Sequence, residues 1–308
     1  MRYYQQKRGQ RLSIGQDGNS LTMLIAVQLV AFVILAFIKV IYYFSHGTAG
    51  LALYNQQILD WVALPAQLDR FITRPWTLLT HMFVHDGVWH LIANMLWLWA
   101  FGYIMQDLTG NKKLFPLFFY GAVAGALVFM LSYNLIPALR EHVAEAKAVG
   151  ASAGVMAIAI GTTVMAPGYR IFPMINGGIP LWVISMIFVI IDLATIPYNN
   201  PGGHIAHLAG AGMGLLFVQQ LQRGRDWSNW MNAFFDWVSN LFNPAKPKKG
   251  QSPKTQLYYK STIQPFKKTM HLTQQKVDEI LEKIHQKGYH SLSEDEKEVL
   301  KRASKEDL

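Results

Sequence analysis

In the first two-thirds of the chain, apolar stretches alternate with short polar ones. Leu21 to Phe44 is almost wholly apolar, too long for a signal-peptide core and followed by no small-residue cleavage site, so it predicts a first membrane-spanning helix. Its one charge, Lys39, lies near the far end, where its stem can snorkel to the interface. From His46 to Thr80 the chain turns amphipathic, with Trp61, Phe71 and Trp76 among Asp60, Asp69, Arg70 and Arg74, which predicts short interfacial helices. Five more apolar runs follow: 91–105, 114–135, 150–166, 181–198 and 204–220. The run at 150–166 consists mostly of Ala, Gly, Ser, Thr, Val and Met, a thin helix suited to the centre of a bundle. Asn199-Asn-Pro-Gly-Gly203 predicts a turn before the last run.

Beyond Arg223 the pattern changes. Trp227, Trp230, Met231, Phe234, Phe235, Val238, Leu241 and Phe242 recur at helical spacing, predicting an amphipathic helix over 226–242 that lies on the membrane. A basic Pro/Lys linker (243–253) leads to a predicted helical hairpin over 273–304. Its first helix is stopped by Gly288, and its second is opened by a Ser293-x-x-Glu296 capping box. The expected organisation is a cytoplasmic segment 1–20, a six-helix membrane domain 21–222 and a C-terminal tail 223–308. The fold class is all-α, a six-transmembrane-helix bundle with a small helical cytoplasmic tail.

Composition sharpens this picture. Of the 308 residues 51% are hydrophobic and 15% charged, against about 25% charged in a soluble domain. Cys is absent, which removes disulfides, thiolate nucleophiles and thiolate metal sites. The formal charge of +9 is not interleaved with a nucleic-acid motif, so no nucleic-acid partner is expected. In a membrane protein such an excess marks the cytoplasmic side, and it places both termini there.

With that orientation, the even-numbered spans begin near the outer face. His90 opens the second, Ser152 opens the fourth and His207 lies in the first turn of the sixth, all at one depth. Polar groups inside a membrane are costly and usually face a polar cavity, so three at one level predict a site. Asn94 lies one turn from His90 on the same helix face. Ser152 sits at a helix N-terminus, where free N–H groups favour a developing negative charge. Gly210 and Gly214 form a small-x-x-x-small face that brings the sixth span against the fourth, and His207 toward Ser152. A nucleophile, a base and an oxyanion pocket are what acyl transfer requires.

These residues resemble the rhomboid family of intramembrane serine proteases. His90-x-x-x-Asn94, Gly150-x-Ser152 and His207-x-x-Gly210-x-x-x-Gly214 match its three motifs in order and in topology, over about residues 20–222. The tail helices resemble a short C-terminal module of some bacterial rhomboids. The resemblance implies a six-span rhomboid bundle with a Ser152–His207 dyad and no third, acidic member. It further implies an oxyanion hole from His90, Asn94 and the Ser152 N–H, no cofactor, and substrates that are membrane-anchored proteins cut in or near their transmembrane segments. His81 and His85 match family positions of structural or water-retaining role. Ala153 stands where many rhomboids have Gly, and Trp76 with Arg74 replaces a Trp-Arg pair in the first outer loop.

Other readings are weaker. A metalloprotease would need His-Glu-x-x-His, but Met-Phe-Val lies between His81 and His85 and no Glu is near. A transporter would rest on Asp192, one intramembrane acid without an inverted repeat; Asp192 reads instead as hydrogen-bonded inside the bundle. The main alternative is a non-catalytic rhomboid-like protein that binds transmembrane helices. His204 shares a face with His207, but His207 alone has the Gly-x-x-x-Gly face at the family spacing. The expected location is a bacterial inner membrane, with transmembrane proteins and the lipid bilayer as partners.

Overall fold

A computed structural model describes residues 19–172, 174, 177–241 and 274–304. The N-terminal basic segment through residue 18 and the basic linker lie outside the described residues. The chain is mostly helical: α1 (Ser20–His46), α2 (Val88–Thr109), α3 (Asn111–Leu135), α4 (Ser152–Met165), α5 (Leu181–Thr195), α6 (Pro201–Gln222) and α7 (Asn229–Leu241), then α8 (Gln274–Lys287) and α9 (Glu294–Ala303). By length and composition α1, α2 and α3 can each cross a membrane, and α4 and α5 are apolar but shorter. The chain is an integral membrane protein. Its outward faces agree: Met23, Val30, Val33, Ile34 and Phe37 of α1 and Ile187, Ile190 and Ile191 of α5 are exposed, a surface that water would penalise and lipid tails would not.

Helix α4 is buried along most of its length, at Ala153 to Ala159 and Gly161 to Thr163, as its small side chains predict. It packs against α2, α3, α5 and α6. A Cβ on Gly210 would lie 2.1 Å from the Ala153 carbonyl oxygen, and one on Gly214 would lie 2.2 Å from that of Ala157. The α6 backbone therefore rests directly on α4, as the Gly-x-x-x-Gly face predicts. Helix α3 makes the same close approach, where Gly121 and Gly125 face Ala157 and Ala153. Side-chain packing closes the bundle interior with Phe101, Phe118, Phe129 and Phe217 fully buried.

The amphipathic connection forms short helices at Ala49–Tyr54, Leu68–Thr73 and Thr77–Thr80. It is tied down by a two-stranded pairing absent from the expectation: β1 (Leu64–Pro65) runs antiparallel to β2 (Lys147–Ala148), the segment that leads into Ser152. Lys147 Nζ reaches Asp60 Oδ1 at 2.8 Å. Trp61 stacks on Trp76 at 6.0 Å, and the Arg74 guanidinium covers Trp61 at 4.3 Å, so the altered Trp/Arg spacing still makes a cation–π stack. A second pairing, β3 (Arg170–Ile171) with β4 (Ile179–Pro180), joins the opposite ends of α4 and α5.

The second helix extends beyond its expected run at both ends, the fifth ends three residues early, and the start of the sixth moves. Helix α6 starts at Pro201, so Pro201-Gly-Gly203 is helix rather than turn, and His207 stands in the second turn. Asn200, at φ +40°, caps the helix by accepting the Gly203 N–H, and proline fits the first helical position because its missing N–H is not needed there.

Part of the apolar face of α7 is met by protein. Met231 is buried and Phe235 packs edge-on against Phe115 of α3 at 5.3 Å. Lys113 pairs with Asp226 and donates to Ser228 Oγ at 2.8 Å. Burial raises the Asp226 carboxyl, but hydrogen bonds from Lys113 and Ser228 outweigh it and hold the group below the usual carboxylate range. Trp230, Phe234 and Trp237 stay exposed.

The chain divides into two compact units, and the second, within residues 245–308, holds α8 and α9. Ile280, Leu292 and Val299 form its core. The capping box is present in both directions: Ser293 N–H donates to Glu296 Oε2 at 2.8 Å, and Glu296 N–H donates to Ser293 Oγ at 3.3 Å. Gly288 follows α8 at φ +78°, a conformation that favours glycine.

Candidate active site

Ser152 begins α4 after a sharp turn at Gly150, which has φ +123°. Gly150 is held by its N–H donating to the His81 carbonyl at 3.0 Å. A Cβ there would lie 2.9 Å from the His90 ring, so glycine is required for conformation and for space. The first helical bond of α4 joins Val155 N–H to the Ala151 carbonyl. The N–H groups of Ser152, Ala153 and Gly154 precede it and are therefore the free donors of the helix end.

His207 lies opposite. Its Nε2 is 2.7 Å from Ser152 Oγ, the reach a general base needs. Its Nδ1 is 2.9 Å from Asp192 Oδ1 of α5, and His204 Nδ1 is 2.7 Å from the same oxygen. Asp192 is only 6% exposed. His204 makes no contact of this kind with Ser152, so the geometry separates the two histidines as the glycine spacing does.

His90 stands on the other side of Ser152. Its Nδ1 is 2.7 Å from Oδ1 of Asp86, four residues earlier in the segment that leads into α2. An ionised carboxylate only accepts, so Nδ1 carries a proton; the Nε2 edge can then donate to a third group only when the ring is an imidazolium. Asn94 is buried one turn deeper, with its Nδ2 donating to the His90 carbonyl at 2.9 Å. Ser152, His207 and His90 line one cavity of about 450 Å³, together with Gly150, Lys147 and Asn200. Asn94 lies behind His90 rather than on the cavity wall.

His81 and His85 support this wall. His81 Nδ1 donates to the Thr77 carbonyl at 3.0 Å, and burial pushes its ring down to about 4. His85 is pushed down to about 4 by burial and by the neighbouring His90, against a smaller opposing effect of Asp86. Both rings are neutral at physiological pH. His85 packs edge-on against His90 at 5.1 Å.

Among the described residues, Asp192, His204 and His207 bring ligand-type atoms within 4.8 Å of one another. Both histidine nitrogens, however, sit at hydrogen-bond distance from one oxygen. Ligands about 2.0–2.1 Å from a tetrahedral zinc would stand about 3.3 Å apart. The spacing fits hydrogen bonding.

Residues 73–223 match the Rhomboid domain family, and that stretch contains every residue of the cavity. The chain belongs to the rhomboid family. It is 29% identical over 159 residues to Rhomboid protein 1, mitochondrial, of Saccharomyces cerevisiae, covering 48% of this chain and 42% of that protein. It is 24% identical over 182 residues to RHOMBOID-like protein 12, mitochondrial, of Arabidopsis thaliana, covering 56% and 54%. Over 69 residues it is 28% identical to Rhomboid protease GlpG of Yersinia pestis, covering 22% and 24%. The matched stretches thus span about half or less of these relatives' own lengths. Residues 264–306 match a family of unknown function, DUF6576.

Two members of this rhomboid site escape a reading by motif. Asp192 belongs to none of the three motifs, and the signal that points to it is a lone acid in an apolar span. Asp86 lies four residues before His90 but outside α2, which begins at Val88, so the contact depends on the turn that leads into the helix.

Proposed function

We propose that this rhomboid protein is an intramembrane serine endopeptidase that cuts membrane-anchored proteins in or near their transmembrane segments. The observation that carries the reading is Ser152 Oγ at 2.7 Å from His207 Nε2, at the N-terminus of a buried helix and on the wall of a cavity. His207 takes the Ser152 proton as Oγ attacks the scissile carbonyl, then returns it to the leaving amine. The Ser152 N–H and His90 Nε2–H hold the oxyanion, and Asn94, behind His90 and donating to its carbonyl, steadies that turn of α2 rather than reaching the oxyanion. Each such donor contributes roughly 3–4 kcal/mol in the transition state. Asp86 balances the charge that His90 must carry to donate.

In this reading six helices, α1 to α6, cross the membrane. The tail beyond Arg223 and the N-terminal segment lie on the basic, cytoplasmic side. The bacterial inner-membrane assignment is supported by the sequence and by the Yersinia relative, while the yeast and Arabidopsis relatives are named mitochondrial. The α8–α9 hairpin is a separate cytoplasmic unit.

The test is labelling of the detergent-purified chain by a fluorophosphonate probe. Wild type should label, and Ser152→Ala and His207→Ala should not. Absence of labelling in a folded wild type would instead favour the non-catalytic, helix-binding alternative.

A further inference from the structure

We propose that Asp192 is a positioning residue for the reaction, so that this rhomboid carries a Ser152–His207–Asp192 relay in place of the two-residue dyad its motifs imply. The proposal rests on the reading of Ser152 as nucleophile and His207 as base.

A neutral imidazole has one N–H and one lone pair, and only the lone pair can receive the serine proton. Which nitrogen holds it is decided by what the other nitrogen bonds. Asp192 Oδ1 lies 2.9 Å from His207 Nδ1. An ionised carboxylate has no proton to give, so His207 must present Nδ1–H to it, leaving the lone pair at Nε2, 2.7 Å from Ser152 Oγ. The same carboxylate steadies the imidazolium formed when that proton arrives. Asp192 is well placed for this: it is 6% exposed, so solvent neither competes for Oδ1 nor screens the interaction.

His204 completes the arrangement. Its Nδ1 is 2.7 Å from Asp192 Oδ1, and its ring meets that of His207 edge-on at 5.8 Å. The oxygen thus accepts two N–H groups, which offsets the cost of burying a carboxylate. Helix α5 supplies the acid and α6 both histidines, so the relay spans two helices that the turn at Asn199-Asn200 holds together. Other titratable or charged groups facing the site are His90, Asp86, His85 and His81 from the start of α2 and the segment before it, and Lys147 from β2.

The experiment is the rate of fluorophosphonate labelling from pH 5 to 9 for the full chain. Wild type is compared with Asp192→Asn, Asp192→Glu and His204→Gln, with Ser152→Ala as the blank. Asp192→Asn should slow labelling by roughly 10- to 1000-fold, since loss of the orienting carboxylate lets the wrong tautomer form. It should also move the pH profile, because the group facing His207 Nδ1 is no longer a carboxylate, a change that a merely structural role would not produce. Asp192→Glu should recover part of both. An Asp192→Asn protein that labels at the wild-type rate with an unmoved profile would overturn the proposal. So would 15N-histidine spectra of wild type showing neutral His207 with its proton on Nε2, a measurement that needs no variant to fold. If Ser152→Ala labels like wild type, the reading of the site itself is lost, and that result is separate from either outcome for Asp192.

Discussion

Two imidazoles flank Ser152, each with Nδ1 on a carboxylate, and their surroundings differ in every respect that matters energetically. His90 and Asp86 are four residues apart, across the start of α2, and the Asp86 side chain is 64% exposed. His207 and Asp192 come from different helices, and the Asp192 side chain is 9% exposed. Water and salt weaken the first pair, as they do any surface ion pair. The second is shielded, so its hydrogen bond is stronger and His207 without Asp192 would leave Nδ1 unpaired in a low-dielectric interior. The same chemical contact therefore orients a ring strongly in one place and trims a charge in the other. In the proposed mechanism the two rings do opposite work: His207 must be neutral to accept a proton, and His90 must be charged to donate one.

The comparison can be broken from its strongest side first. His207→Ala should reduce Ser152-dependent labelling and cleavage to background, a loss of roughly 1000-fold or more, because base and nucleophile act as a unit. His90→Ala should cost less, roughly 100- to 1000-fold, the value of one oxyanion donor. An equal loss in both variants would remove the distinction between base and donor. Asp86→Asn should cost about tenfold at most, and the difference from wild type should shrink as salt rises from 50 to 500 mM. If Asp86→Asn proved as damaging as Asp192→Asn, exposure would not be the deciding variable.

The third pair of rings, His81 and His85, sharpens the contrast because burial dominates both. Each is lowered from 6.5 to about 4 in the folded protein. Between those values the unfolded chain binds the proton and the folded one does not. Their contribution to stability is therefore intact above about pH 6.5 and falls as pH drops toward 4, by up to about 3 kcal/mol for each ring. Thermal midpoints in detergent at pH 7.5, 6 and 5 should decline accordingly, and His81→Gln with His85→Gln should flatten the decline. The smallest effect on chemistry, though not on folding, is expected at the helix contact. Gly210→Ala drives a methyl against the Ala153 carbonyl and should destabilise by about 1–3 kcal/mol, read as a lower thermal midpoint.

Much of this was legible in the chain because membrane helices must be long, apolar and internally hydrogen-bonded. The apolar runs thus predict α1 to α6 within a few residues, and the glycines of α6 predict its contact with α4. The start of α6 was misplaced because Pro-Gly-Gly reads equally as a turn and as a capped first turn of helix. The β1–β2 pairing is two residues long on each side and carries no periodicity to read.

What the sequence alone determined is the order of elements, the placement of Ser152, His90 and His207 near helix starts, and the small residues that let helices touch. Each follows from local rules: hydrophobic run length, helix-end chemistry and side-chain size. Only the tertiary structure decided which groups the histidine nitrogens meet. Asp192 is 15 residues from His207, across a turn whose path no local rule prescribes. Whether its carboxylate faces lipid, His204 or His207 depends on how α5 is rotated against α6, and that rotation is set by packing summed over both helices.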